Sequence, residues 1–459
     1  MRHKPTSFGL ERSQTVCDRR VYLHLSASAW RSPLGAGQPV HASRAADPRP
    51  GRDGIRVYSG GVSIRVALVS MHTSPLDVPG EGDAGGMNVY LAGLADALTA
   101  RGADVELLTR RTSADQPRGD LHTTPGGAPV RHLPAGPPAP VPKSELPALT
   151  AEFGAALGAL PRFDLMHSHY WLSAAAALPV AEAQGIPHIT SLHTVATVKN
   201  ALLAPGDRPE PQTRIDAEHE AVRRSAFTIA ASRFEAAAVV RDYGASESCV
   251  DVVEPGVDSH LFHPVDPAPV GGPLLLLARL QPLKGADLAI EALARIPAPA
   301  RPRLVIAGGV SPGHEEYGRI LRARIAALGL DPWVELLPAR RRADAAELLR
   351  RSAALLVPSF SETYGIVALE AAASGVPVIA SGAGGLSESV IDGVTGLLVP
   401  ERDPEAWAAA MLRMTRDDLE RIPLRRGALA HAASRTWDRA AEQMLNDYDR
   451  VVSLRTACA

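Results

Sequence analysis

Residues 359–380 read SFSETYGIVALEAAASGVPVIA: in order, a polar loop, a helix of small and apolar residues, a Gly turn and a buried strand. The apolar run 353–358 just before it is a short strand. The loop therefore leaves a sheet at the edge where open parallel sheets bind ligands. Glu362 sits on that loop, and Glu370 lies eight residues further on, inside the helix. Thr363, Tyr364 and Gly365 form the helix start, whose free N–H groups and positive dipole end suit a phosphate. An acid beside such groups suits a nucleotide sugar. Taken alone, the two acids read more simply as a cap and a solvated helix residue. The flanking SFSETYG and EAAASGVPVIA make the stretch one unit.

Working outward, 459 residues predict two or three domains. With 46% apolar and 21% charged residues the chain is globular, and 4% aromatic content implies cores of Leu, Val and Ala. A net charge of -2 argues against a general nucleic-acid binder. Cys17, Cys249 and Cys458 are far apart and form no CxxC, so neither a disulfide framework nor a zinc site is expected, and a reducing cytoplasm fits. No uncharged apolar run approaches the roughly 18 residues that cross a bilayer. Residues 1–62, rich in Arg, Ser, Pro and Gly, are expected to be disordered, or to come from translation assigned too far upstream of Val62.

Order is expected from residues 64–70, IRVALVS, which are nearly all apolar, as buried parallel strands are. A glycine-rich loop comes next and runs into a helix over 89–101, with Leu91, Leu94, Ala95 and Leu98 on one face. Gly85 and Gly86 let the backbone approach a ligand and turn N–H groups toward anions. The loop is not GxGxxG, which disfavours a nicotinamide dinucleotide fold. Strands are expected at 105–109, 130–133, 164–168, 188–193, 227–231 and 250–253, with Ala-rich helices between them. After a Pro-rich break the alternation resumes at 274–277, 303–307, 334–337, 354–357, 378–380 and 396–399. The result is an α/β chain of two lobes, 63–258 and 259–435, facing a cleft, with a last helix in 436–459 crossing back to the first lobe.

Arg279 and Lys284, five residues apart after the first strand of the second lobe, can straddle a diphosphate. His167 and His169 share one strand face, but no third ligand stands at a useful spacing, so a metal pair is disfavoured. His193 and His72 close neighbouring strands at the same sheet edge. Asp447-Tyr448-Asp449 imitates an acid-x-acid metal motif inside a terminal polar helix and is read as a decoy. In Arg340-Arg341-Arg342, one member is expected to face the cleft.

The Glu362/Glu370 spacing resembles the signature of the retaining family 4 glycosyltransferases, built of two Rossmann-like domains facing across a cleft (GT-B). MHTSPL, GDAGGMNVY, DLMHSHYWLS, LHTVATVKN, RLQPLKG and PSFSETYG narrow this to the D-inositol-3-phosphate glycosyltransferases of mycothiol biosynthesis, from about Ile64 onward. GGMN counts most, since sucrose-type relatives commonly read GGQ there. Ala278 departs from the Gly usual in the family.

The resemblance implies transfer of N-acetylglucosamine from its UDP donor to 1D-myo-inositol 3-phosphate with retained configuration. It implies donor contacts at His72, Val78, Pro79, Gly86, Arg279, Lys284, Arg340, Glu362 and Glu370. Of these, Arg279, Lys284 and Glu362 would be catalytic. Acceptor contacts are implied at Asp83, Ala84, Gly85, Gly86, Met87, Asn88, Lys143, Tyr170, Thr194 and Arg214. Lys143 and Arg214, with the hydroxyls of Tyr170 and Thr194, would form a compact phosphate site. A cytoplasmic homodimer is implied, with no cofactor needed for catalysis. A non-catalytic magnesium held by backbone around Leu349, Arg350, Ser352 and Val376 is carried over on family grounds, although these side chains offer few hard oxygen ligands. The alternatives are a family 4 transferase with another sugar-phosphate or lipid acceptor, a catalytically silent sugar-nucleotide binder, and an epimerase of the same architecture.

Overall fold

The computed structural model describes residues 64–116, 121–266, 271–416 and 418–456. They belong to one compact unit, Ser63–Ala459. The expectation for residues 1–62 falls outside the described residues.

The first lobe holds β1 (Arg65–Ser70), β2 (Asp104–Arg110), β3 (Leu121–Thr123), β4 (Pro129–Leu133), β5 (Leu165–His169), β6 (His188–Ser191), β7 (Phe227–Ala230) and β8 (Val250–Val252). They form one sheet in the order β3-β4-β2-β1-β5-β6-β7-β8, parallel except for β3 against β4. The second lobe holds β9 (Leu274–Leu277), β10 (Leu304–Ala307), β11 (Val334–Leu337), β12 (Ala354–Val357), β13 (Val378–Ser381) and β14 (Gly396–Val399). Its order is β11-β10-β9-β12-β13-β14, parallel throughout.

The central strands β1 and β9 are largely apolar on both faces because helices cover both sides. In β1, Val66 and Leu68 enter one core with Leu91, Leu94 and Leu98, while Ala67 and Val69 enter the opposite core with Phe153 and Leu172. In β9, Leu274 and Leu276 likewise face away from Leu275. This two-residue alternation puts one parallel strand in two cores at once. Strand order reverses between β1 and β5 in the first sheet, and between β9 and β12 in the second. At such switch points the loops leaving the strands diverge and open a crevice.

The last helix, Trp437–Thr456, crosses back to the first lobe: Ala440, Ala441, Met444, Tyr448 and Val451 are buried with Leu91, Leu94 and Leu98. Asp438 takes Arg101 in a bidentate pair at 2.7 Å, and Gln443 Nε2 donates to the Val252 carbonyl at 2.7 Å. Among the described residues, no helix is long and apolar enough to cross a membrane. One expectation is corrected: Cys249 is disulfide-bonded. Spacing along the chain does not report which thiols folding brings together.

The docking of the last helix depends on Gly93 in the facing helix, Gly86–Ala100, where a Cβ would lie 2.3 Å from the Trp437 ring. Gly to Ala inside a helix ordinarily stabilises by about 1 kcal/mol. Here overlap reverses the sign: Gly93→Ala is expected to lower stability by roughly 1–3 kcal/mol. A raised melting temperature in thermal unfolding would remove this account of the docking.

Candidate functional site

The segment after β9 passes through Arg279 and a short 3-10 turn, Pro282–Lys284, before entering the helix Ala286–Arg295. Gly285 joins them with φ +67, and a Cβ there would sit 2.1 Å from the Pro358 carbonyl of the segment after β12. Phe360 N donates to the Leu283 carbonyl at 2.8 Å, so the two loops are locked side by side. Lys284 Nζ accordingly meets Glu362 Oε1 at 2.6 Å, and Ser359 Oγ donates to the same oxygen at 2.8 Å. Gly365, at φ +92, opens the helix Ile366–Ala373, whose first N–H groups have no partner within the helix. Arg279 reaches across to the first lobe, donating to the Gly82 carbonyl at 3.3 Å with Asp83 at 3.6 Å. Burial pulls its pKa down, opposed first by Asp83.

Arg279, Lys284 and Glu362 border two adjoining cavities. The smaller, of about 180 Å³, also takes Pro79, Gly86, Arg340, Arg342 and Glu370. Glu370 is buried, which raises its pKa, and Arg342 Nη1 opposes this at 2.9 Å. Of the arginine cluster, sequence reasoning chose Arg340. Both Arg340 and Arg342 line this cavity, and it is Arg342 that holds Glu370.

The larger cavity, of about 770 Å³, lies between the lobes, and its first-lobe wall carries the cations Lys143, Lys199 and Arg214 beside the acids Asp83, Glu210 and Glu235. Arg214 Cζ is 4.8 Å and Lys143 Nζ 5.0 Å from the centroid of the Tyr170 ring. Arg214 is only 2% exposed and is held on three sides: Nε donates to Glu218 at 2.6 Å, Nη1 lies 3.0 Å from Glu210, and Nη2 donates to Thr194 Oγ1 at 2.8 Å. Lys143 is exposed along its length, yet its ammonium end borders the cavity. Tyr170 caps the helix Trp171–Gln184 at φ 77 and ψ 153. For a non-glycine residue this backbone is strained by about 1–3 kcal/mol, and such strain gathers at functional sites. The His72 ring stacks 4.2 Å from Tyr170. Burial, then Lys143 and Arg214, hold His72 well below its ordinary pKa, so the ring is neutral.

Not every expected contact faces a cavity. Asp83, Gly85, Gly86, Met87 and Asn88 line the larger one, although Asn88 is also turned inward, donating to Thr73 Oγ1 at 2.8 Å and accepting from Gly85 N at 2.9 Å. Val78 and Ala84 border neither cavity. Their carbonyls instead shape the loop, accepting from Glu81 N at 3.2 Å and Gly80 N at 3.0 Å. His167 bonds Tyr448 at 2.8 Å and Ser191 at 2.9 Å through its two ring nitrogens, whereas His169 bonds His193 at 2.8 Å through Nδ1 alone. Asp447 is buried rather than solvated, and burial beside Asp251 pushes it up to about 7.

Arg350, Ser352 and Val376 border a third cavity of about 20 Å³, together with Arg421 and Arg425. The Leu349 carbonyl already accepts from Ser352 N, and Arg425 takes the Gly375 carbonyl. Three guanidinium groups and no carboxylate do not suit magnesium, which wants hard oxygen ligands. Among the described residues, no group of three or more His, Cys, Asp or Glu is placed to hold a metal.

The residues that sequence reasoning passed over do their work by holding others. Glu210 and Glu218 fix Arg214, and the four-residue spacing of Arg214 and Glu218 was a readable signal. Glu388 of the second lobe accepts from Arg233 N and Phe234 N at 2.8 Å each, capping the first-lobe helix Arg233–Tyr243.

Two family models match: "Glycosyl transferase 4-like domain" over residues 85–256 and "Glycosyl transferases group 1" over 272–430. A D-inositol 3-phosphate glycosyltransferase from Xylanimonas cellulosilytica is 41% identical over 414 residues, covering 86% of this chain and 98% of that protein. One from Stackebrandtia nassauensis is 42% identical over 411 residues, covering 85% and 92%. Among solved structures, the sucrose-phosphate synthase of Thermosynechococcus elongatus superposes with a TM-score of 0.78 at 28% identity, covering 85% of this chain and 99% of that one. Anabaena HepE, solved with UDP and glucose, superposes at 0.68 with 20% identity over 84% of this chain and all of its own, and shares the fold. The chain is thus an enzyme of GT-B architecture that belongs to the D-inositol 3-phosphate glycosyltransferase family.

Proposed function

We propose that the enzyme transfers N-acetylglucosamine from UDP-N-acetylglucosamine to 1D-myo-inositol 3-phosphate with retained anomeric configuration, the first step of mycothiol biosynthesis. The observation that carries this reading is the anion site of the first lobe: Lys143 and Arg214 flank one Tyr170 ring in the same cavity as Arg279 and Lys284. One cationic pair suits the diphosphate of a donor, and the other suits a phosphorylated acceptor. A neutral alcohol would not need the second.

In this reading the donor diphosphate takes Arg279 and Lys284. Lys284 exchanges its Glu362 partner for phosphate oxygens, which frees Glu362 to orient the sugar. Glu370, beside Arg342 in the smaller cavity, takes the ribose hydroxyls. The C1–O bond to UDP breaks and leaves an oxocarbenium-like centre. The acceptor hydroxyl attacks from the face just vacated, and its proton passes to a phosphate oxygen of the departing UDP. No protein nucleophile and no metal is required, since charge on the leaving group is met by the two cations and the N–H groups after Gly365. Such preorganised donors are worth about 3 kcal/mol each.

A second reading, transfer to another sugar phosphate, draws on the superposition with sucrose-phosphate synthase. An acceptor panel of inositol 3-phosphate, free inositol and fructose 6-phosphate, with product stereochemistry, decides between the two. Turnover with the first alone is expected, and equal use of free inositol would sink the phosphate site. Lys284→Ala is expected to lower kcat more than about tenfold with folding unchanged, and near wild-type turnover removes its role. Lys143→Ala, which breaks no buried ion pair, should raise KM for the phosphorylated acceptor about tenfold, the size of one charge-assisted hydrogen bond. An unchanged KM would place the phosphate elsewhere.

A further inference from the structure

His169 ends β5 with no exposed surface and borders neither of the two large cavities. Its Nδ1 lies 2.8 Å from Nε2 of His193. His193 does line the larger cavity, and it is held tightly: φ is +60, and its carbonyl accepts the Thr363 hydroxyl from the second lobe. Among the described residues, nothing bonds its other nitrogen, Nδ1.

Both rings are neutral, because burial pushes His193 down to about 3 and His169 well below the ordinary imidazole value. A neutral pair sharing one bond has two arrangements. If His193 donates, His169 must carry its own proton on Nε2, and that atom is buried with no partner. An orphaned buried N–H is rare and costs about 1–3 kcal/mol. If His169 donates from Nδ1, the same spot holds only a bare ring lone pair. The neighbouring ring offers no acceptor that would rescue the first arrangement. Ser191 Oγ donates to the Ile229 carbonyl, so it accepts from His167 Nε2, and His167 Nδ1 is taken by Tyr448.

We propose that His169 is a positioning residue for the transfer reaction: by donating to His193 Nε2 it fixes the His193 proton on Nδ1, as a hydrogen-bond donor facing the cleft. A ring held in this form receives no proton from the acceptor hydroxyl. It offers an N–H to an oxygen of the bound sugar or phosphate. The role in turnover rests on the transferase reading above, but the tautomer does not.

The test is ¹⁵N NMR of histidine-labelled protein without substrate, with His193 assigned by its loss in His193→Gln. Wild type is expected to show His193 protonated on Nδ1. His169→Asn, which keeps an N–H near the original Nδ1, should retain that tautomer and most of kcat. His169→Phe should lose the fixed tautomer and lower kcat for UDP-N-acetylglucosamine and inositol 3-phosphate about tenfold or more, with KM little changed. A wild-type His193 protonated on Nε2 overturns the proposal, as does full kcat in folded His169→Phe. Should that variant fail to fold, the wild-type and His169→Asn spectra still decide. Absence of turnover with these substrates would count against the proposed function and leave the tautomer measurement intact.

Discussion

A parallel sheet covered by helices on both faces leaves its chemistry one outlet, the loops at the C-terminal ends of its strands. Here that constraint acts twice. β1 and β9 are each buried in two cores, so all but one end residue of each is closed off from solvent. The loops leaving these two strands are free to do so. The loop after β1 carries His72 through Asn88, and the loop after β9 carries Arg279 and Lys284. Their neighbours across each switch point, β5 and β12, deliver Tyr170 and Glu362. These four strand ends, two per lobe, form the centre of the site, to which the chain after β4 adds Lys143, that after β6 adds His193 and Arg214, and that after β11 adds Arg340 and Arg342.

Charge decides what that position can hold. Arg279 and Lys284 on one side, and Lys143 and Arg214 on the other, would repel one another in an empty cleft. Nearby acids meet this, within a lobe or across the cleft. Lys284 leans on Glu362, Arg279 lies near Asp83, and Arg214 is braced by Glu210 and Glu218. Lys199 shares Glu210 in turn. The buried histidines contribute no charge, since desolvation keeps His72, His167, His169 and His193 neutral. On the proposed reading, an incoming phosphate takes the place of Glu362 at Lys284, whereas Arg214 keeps its buried Glu218 partner.

Much of this was legible in the sequence because it rests on period and composition. Short runs alternating with Ala-rich helical stretches marked every parallel strand, and Gly365 and Gly285 marked the turns into helices. The strand that escaped, β3, is three largely exposed residues paired antiparallel at the sheet margin, with no apolar run to betray it. Glu362 and Glu370 were found by spacing along the chain, and both border the smaller cavity. What spacing does not encode is that two of the three adjacent arginines, Arg340 and Arg342, border the smaller cavity and that Arg342 meets the Glu370 carboxylate. Val78 and Ala84 border neither cavity and shape the loop through their carbonyls, which a motif match does not report. The joining of His169 to His193, and the bonding of Cys249, are products of tertiary packing with no local trace.

The two lobes touch near the site chiefly through backbone atoms. Thr363 donates to the His193 carbonyl, Arg279 to that of Gly82, Gly309 N to that of Gly80, and Glu388 accepts two amides of the first lobe. A net hydrogen bond is worth only about 0.5–1.5 kcal/mol, rather more where an ion takes part. A handful of them therefore fixes the lobes by a few kcal/mol, the range in which lobes joined in one chain ordinarily move. The chain crosses between lobes at two places, and these are clamped together: Val257 pairs with Thr436, and a Cβ on Gly256 would strike the Trp437 backbone at 2.1 Å. Rotation is thereby confined to a narrow pivot that starts just beyond β8, beside the cavity-lining Pro255. A ligand that binds Arg279 and Lys284 pulls on the very residues that contact Gly82, Asp83 and Glu362, so its differential contacts with the two lobes are what shift the balance between open and closed. On the proposed assignment, with the acceptor bound by one lobe and the donor by the other, reaction geometry exists only when that balance favours closure.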